Sequence, residues 1–410
     1  MKTAVLVILA VTFAYKIFLR LLSARSMRNP IPADVADVYD ADIYRKWRSY
    51  QAERLRFSLL TDTVAFAVTL LLLVLNVHSA FAGLFGTDWF AVIFAVALLE
   101  SLAGLPLIPF SWYSTMHIEE KYGFNRSTAA TFWADQAKEF VIGLIIMTGI
   151  AALLGALHLW LGDALIAAFA VVLFALVMLL SFLYPFLSRI FNRFTPLEEG
   201  ELKQKLTALM EKHGFRVRAV QVMDASRRTS RSNAYFTGFG KMKTIVLYDT
   251  LVQTMTPDEI CAVFAHEMGH GLHRDTLKNQ ALSFVQMALI AVMAWWVLRT
   301  QPLFSAFGFA GINYGFALVL IMNTGLALIM PLWGLAANAF SRRAEYAADA
   351  QAVTEGYGEM LISALKKLAR NNLSDLSPSP LLVLLEYSHP PLSRRIAAIR
   401  KAVESGAEQP

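Results

Sequence analysis

Seven stretches of this chain are long and apolar enough to cross a bilayer, and they limit its fold more than any other feature. They lie at roughly 3–22, 58–80, 89–112, 139–160, 164–187, 280–299 and 312–336. A spanning helix needs about 20 mostly apolar residues. In hydrocarbon every backbone polar group must be bonded within the protein, so such runs become helices. Composition agrees: 56% of the 410 residues are hydrophobic and only 17% charged, against about 25% charged in soluble domains. The short links FAGLFGTD and LGD predict antiparallel hairpins, joining the second run to the third and the fourth to the fifth. Gln280 and Gln286 make the sixth run the least apolar. Lys16 and Arg20 interrupt the first run, and no small-residue cleavage site follows, so it reads as a retained helix rather than a signal peptide.

Basic residues set the expected orientation. Arg25, Arg28, Arg45, Lys46, Arg48, Arg54 and Arg56 follow the first run, whereas the turns at 81–88 and 161–163 hold no Lys or Arg. The segments 113–138 and 188–278 carry basic residues again, and Arg342 and Arg343 follow the last run. The positive-inside rule then puts the N-terminus outside, and 188–278 and the C-terminal tail in the cytoplasm. The net charge of +6 therefore reports topology. With no nucleic-acid-binding motif in the chain, no nucleic acid is expected as a partner. The expected division is 1–187 as a five-helix membrane region, 188–279 as cytoplasmic, 280–336 as two further spans and 337–410 as cytoplasmic. The expected fold class is an all-α multi-pass membrane protein with a cytoplasmic domain carrying a small β element. Its strands are expected in VRAVQVMD and TIVLYDTL, with SNAYFTGFG as a turn or edge strand between them. Glu100 sits within the third run, where an ionisable group faces a wet interior or a partner rather than lipid. The lone cysteine, Cys261, reads as a small buried apolar side chain.

The stretch TPDEICAVFAHEMGHGLHRDT holds the chemistry. Thr256 can cap a helix, Pro257 suits its first position and Glu259 completes a capping box. His266 and His270 then stand at i and i+4 on one face, about 6 Å apart along the axis. Both imidazoles can reach one ion, and Glu267 beside them can reach a water there, the HExxH pattern of zinc peptidases. Catalytic zinc takes three protein ligands and keeps one position open. His273 lies about 10 Å along the axis from His266 and is out of easy reach. NAFSRRAEYAADA, after the last run, reads as a second helix with Glu345 and Asp349 on one face. Glu345 can complete a His-His-Glu set, and Asp349 can orient a ligand histidine. The alternative for Glu345 is a solvated ion pair with Arg342.

Several motifs together resemble the CAAX prenyl protease 1 family of integral-membrane zinc metallopeptidases: EEKYGFNRST, SNAYFTGFG with KTIVLYDTL, HEMGH, NAFSRRAEYAAD and SHPPLSRRIAAI, in that order. The resemblance covers nearly the whole chain. It implies about seven helices enclosing a membrane chamber, capped by one Zn2+ per chain on His266, His270 and Glu345. Glu267 would be the catalytic base, and Asn338, Asp349, His389 and Arg395 would support the site. His389 and Arg395 are candidates for an oxyanion donor or for holding substrate backbone. The stretch Asn233, Ala234, Tyr235 and Phe236 is expected to bind substrate as an added strand. The chain lacks the large insertions and the retrieval signal of eukaryotic members, so it reads as a bacterial homologue of the inner membrane. The expected partners are the lipid bilayer and a peptide or protein substrate, prenylated or membrane-associated. Three functions follow: a CAAX-type endopeptidase, a broad quality-control protease of membrane proteins, and a channel or scaffold with a relic metal site.

Overall fold

A computed structural model describes residues 1–190, 192–231, 233–237 and 242–407; Ser232, Gly238, Phe239 and Gly240 of the SNAYFTGFG stretch lie outside the described residues. The first half is α1 (Lys2–Ser26), α2 (Ala41–Val74), α3 (Trp89–Ala103), α4 (Ala129–Leu161) and α5 (Leu165–Leu187). Then come α6 (Glu201–Lys212), α7 (Pro257–Leu272), α8 (Asp275–Arg299), α9 (Ala327–Thr354), α10 (Gly358–Asn371) and α11 (Leu392–Ala407). Six helical stretches are long and apolar enough to cross a membrane. One of them, Ala129–Leu183, runs 55 residues and reverses at Gly162, whose φ of +51° favours glycine. That turn separates α4 from α5, so the six stretches supply seven candidate spans among the described residues.

The helices outrun the apolar stretches that announce them. Asp40 caps α2 by accepting from the N–H groups of Asp42 and Ile43, well before the run at 58. The polar first half of α2 buries Trp47 and Tyr50. The third run breaks where its prolines stand: α3 stops at Ala103, and Pro106 and Pro109 open separate short turns. Glu100 on α3 hydrogen-bonds buried His78 of the short helix Val77–Gly83, Oε1 to Nε2 2.6 Å.

Two junctions depart from the sequence reading. The last apolar run and NAFSRRAEYAADA, read as separate helices, form one: Tyr314–Leu320 passes through a π turn at Ile321–Leu326 into α9 without a break. Only His273 and Arg274, the latter left-handed with φ +56°, separate α7 from α8. The expected boundaries at 279/280 and 336/337 therefore fall inside α8 and α9. Helical propensity does not end where hydropathy does.

The small sheet has the order β1-β2-β4-β3, from β1 (Phe194–Pro196), β2 (Arg216–Met223), β3 (Ala234–Thr237) and β4 (Met242–Tyr248). β2 and β4 are parallel and the other pairs antiparallel, with Tyr235 opposite Val246. β3 is an edge strand.

Two apolar cores organise the molecule. One lies within the membrane bundle, around Ile93, Leu154, Phe304 and Phe316. The other joins Ile245, Phe264 and Ile396 of the catalytic lobe to Trp47 and Tyr50 from the first half of α2 and to Val35, Ile118 and Phe124 from the links between membrane helices. Each large side chain buried there contributes about 1.5–3 kcal/mol. This burial fastens the N-terminal half to the lobe that carries the metal motif.

Candidate metal centre

The capping box on α7 is formed. Thr256 Oγ1 accepts from the Glu259 N–H at 3.3 Å, and the Glu259 carboxylate accepts from the Thr256 N–H at 2.9 Å. Lys367 and Ser363 of α10 also donate to Glu259, which ties the start of α7 to its neighbour. At its other end α7 presses on α9 at Gly269, where a Cβ would stand 2.9 Å from the Cα of Ala348. Glycine permits this approach, and it sets the metal motif against the face of α9 that carries Glu345 and Asp349.

Both histidines turn the same nitrogen to the same carboxylate. His266 Nε2 lies 3.5 Å from Glu345 Oε2, and His270 Nε2 lies 3.4 Å from Glu345 Oε1. Their Nδ1 atoms are held from behind, His266 by Asp349 at 2.9 Å and His270 by Asp275 at 3.0 Å. A carboxylate on Nδ1 fixes the ring and leaves Nε2 free for an ion. Glu345 Oε2 is buried and accepts no hydrogen bond, although Arg395 Nη1 stands 3.3 Å away. A buried unsatisfied oxygen costs about 1–3 kcal/mol. Ligands about 2.0–2.2 Å from a tetrahedral ion stand about 3.3–3.6 Å apart, which matches the separations here. Two imidazoles and a carboxylate therefore fit a divalent metal, and among the described residues these three form the group able to hold one. His273, at the end of α7, is not in it.

The surroundings are charged and largely dry. Arg395 is 8% exposed and grips Asp349 through Nε at 2.9 Å and Nη2 at 2.6 Å. Burial pushes the Glu267 carboxyl above its ordinary value, with His266 and His270 opposing that rise. His389 Nε2 lies 3.2 Å from Glu345 Oε1, and its Nδ1 lies 2.9 Å from Ser388 Oγ. Beside these groups opens a cavity of about 1030 Å³ between α1, α2 and the catalytic lobe, with Asn233, Arg54, His389 and Arg395 on its wall.

Residues 196–403 match the model of peptidase family M48, and residues 20–193 match that of the CAAX prenyl protease N-terminal region of five membrane helices. The CAAX prenyl protease 1 homolog of Oryza sativa subsp. japonica is 30% identical over 97% of each chain. CAAX prenyl protease 1 of Saccharomyces cerevisiae is 32% identical over 90% of this chain and 88% of its own. The chain belongs to the CAAX prenyl protease 1 family. The crystal structure of S. mikatae Ste24p superposes on this family member with a TM-score of 0.88 at 29% identity, over 97% of this chain and 98% of that one. The protein is an integral multi-pass membrane metalloendopeptidase, and M48 membership implies a metal ion and a peptide or protein substrate.

Within this CAAX protease relative, the structure gathers most of the residues singled out from sequence. His266, His270, Glu345, Asp349, His389 and Arg395 meet within a few ångströms. Asn338 stands apart, its amide donating to the Leu385 carbonyl at 3.4 Å. Asn233 reaches the cavity, while Ala234, Tyr235 and Phe236 form the edge strand. Arg342 donates to the carbonyls of Val383 and Tyr387 at 3.1 and 2.6 Å rather than to Glu345. Sequence reasoning missed Asp275. It lies five positions after His270, off the helical face, and only the left-handed turn at Arg274 brings its carboxylate back.

Proposed function

We propose that this chain is a zinc endopeptidase that cuts near the C-terminus of prenylated or otherwise amphipathic proteins at the membrane surface. The observation that carries the reading is the convergence of His266 Nε2, His270 Nε2 and the unbonded Glu345 oxygen beside a cavity that reaches α1 and α2. In this reading His266, His270 and Glu345 hold one Zn2+. A bound zinc would supply an acidified water and a polarised scissile carbonyl. Glu267 takes the proton of the attacking water and passes it to the leaving amine. Asp349 and Asp275 keep the two imidazoles in the tautomer that offers Nε2.

Arg395 holds Asp349 and faces Glu345, so its guanidinium is already engaged and it acts as a positioning group. The oxyanion donor is then His389: its Nε2 faces the site, and in the tautomer that accepts from the Ser388 hydroxyl at Nδ1 it carries the proton to donate. Asn338 tethers the chain that leads to His389. Asn233 to Phe236 accept substrate as an added strand, because β3 has a free edge. The chamber lies among the seven helices. The metal side faces the cytoplasm of a bacterial inner membrane, as the basic links at 23–57 and 188–278 support. The membrane units are 1–187 and the two spans of 280–336; the catalytic parts are 188–279 and 337–410.

Backbone pairing along an edge strand is blind to side chains, and this favours a second reading, a quality-control protease of broad specificity. An intact donor set speaks against a relic site. Purified protein in detergent, given a farnesylated CAAX peptide and its unlipidated twin, separates the readings. Cleavage of the lipidated peptide alone, lost on Glu267→Ala and on chelation, is the expected result. Equal cleavage of both peptides would favour the broad protease. Cleavage that survives Glu267→Ala would overturn the assignment of the base.

A further inference from the structure

Next to the large cavity, with Pro390 and Pro391 common to both walls, lies a second pocket of about 240 Å³. Three arginines line it, Arg342, Arg343 and Arg394, with Tyr346, Pro390 and Pro391. No carboxylate is among its lining residues. Arg342 is engaged with the carbonyls of Val383 and Tyr387. Arg343 and Arg394 are exposed, and among the described residues neither takes part in an ion pair. Three guanidiniums around one pocket create a local positive potential that attracts anions.

Its location indicates which anion. Arg342 and Arg343 follow directly on the apolar part of α9, five and six residues after Ala337, about 8 Å of helix. Each headgroup layer adds about 5–7.5 Å to the hydrocarbon core, so both arginines start at its outer edge, and their long side chains reach back to a headgroup phosphate. The neighbouring short helix Pro380–Glu386 exposes Leu381 and Leu384, and α9 exposes Leu332. Arginine forks match phosphate oxygens in paired hydrogen bonds, and exposed leucines suit acyl chains. We propose that this pocket binds the phosphate headgroup of an anionic phospholipid.

The pocket also abuts the catalytic apparatus. Pro390 and Pro391 form part of its wall and directly follow His389. Arg342 holds the carbonyl of Tyr387, two residues before His389. Arg394 adjoins Arg395, which grips Asp349. A phosphate bound here would lie against the segment that presents His389.

The test uses the full chain in nanodiscs of phosphatidylcholine, with and without phosphatidylglycerol, and scores retained lipid by native mass spectrometry after gentle release. One phosphatidylglycerol per chain should persist, held about tenfold more weakly in the double variant Arg343→Gln/Arg394→Gln. A charge-matched control, Arg216→Gln/Arg218→Gln on β2, should leave retention unchanged. An equal loss in the control would reduce the effect to general surface charge and overturn the pocket. Inorganic phosphate at millimolar concentration that displaced the lipid completely would make the site one for the free anion and overturn the lipid assignment. Both readouts are independent of peptide cleavage, so the site and the proposed substrate class stand or fall separately.

Discussion

Asp275 is the first residue of a membrane helix and also the group that orients His270, with its oxygen 3.0 Å from Nδ1. Lys278 holds it from the other side. Asp275→Ala leaves the His270 ring free to turn, and metal affinity should fall about 10–100-fold, measured by competition with a chromogenic chelator. Unchanged affinity would mean that the carboxylate does nothing for the ligand. The pairing of His266 with His270 and of Glu345 with Asp349 was readable because a helix converts an i, i+4 spacing into a shared face. Asp275 was not, because its approach depends on one left-handed residue, Arg274, and nothing in the letter R announces that conformation. The engagement of Arg395 with two carboxylates was likewise hidden, since a sequence does not say which groups will share a buried space.

The α7–α9 contact is the element that joins His266 and His270 to Glu345, the proposed third ligand. Gly269→Ala would drive a methyl to 2.9 Å from the Ala348 backbone, and overpacking of this kind costs about 1–3 kcal/mol. A lower Tm with weakened metal retention is expected. A variant as stable and as metal-loaded as the parent would show that the contact yields easily. The continuity of α9 has its own test. One alanine inserted after Ala337 turns everything beyond it by about 100° and carries Glu345 away from both histidines. Metal binding should vanish while the protein still inserts in the membrane. Hydropathy located this helix but not its end, because the apolar stretch stops near residue 336 and the backbone hydrogen bonds continue to Thr354. The same holds for α2, whose polar first half belongs to the catalytic core.

For the molecule as a whole, topology is the most testable consequence of the charge pattern. Cys261 is fully buried, and burial pushes its thiol up to about 11, so it stays silent to an impermeant maleimide. Against that background, Leu84→Cys and Glu199→Cys, both exposed positions, should label from opposite faces, the first from outside intact cells and the second only after lysis. Labelling of both from outside would invert the orientation. The seven candidate spans were legible because lipid permits so few solutions; the joining of the N-terminal half to the lobe was not, because no local rule sends Trp47 and Phe264 into one core. The way α8 and α9 leave the metal site also determines how the protein can be dissected. Glu345 and Asp275 stand on helices that enter the lipid within a few turns. Cutting at the edge of the hydrophobic runs would sever the scaffold of the site itself, so a water-soluble fragment that keeps its ion must carry stumps of both helices, clamped together by some new means.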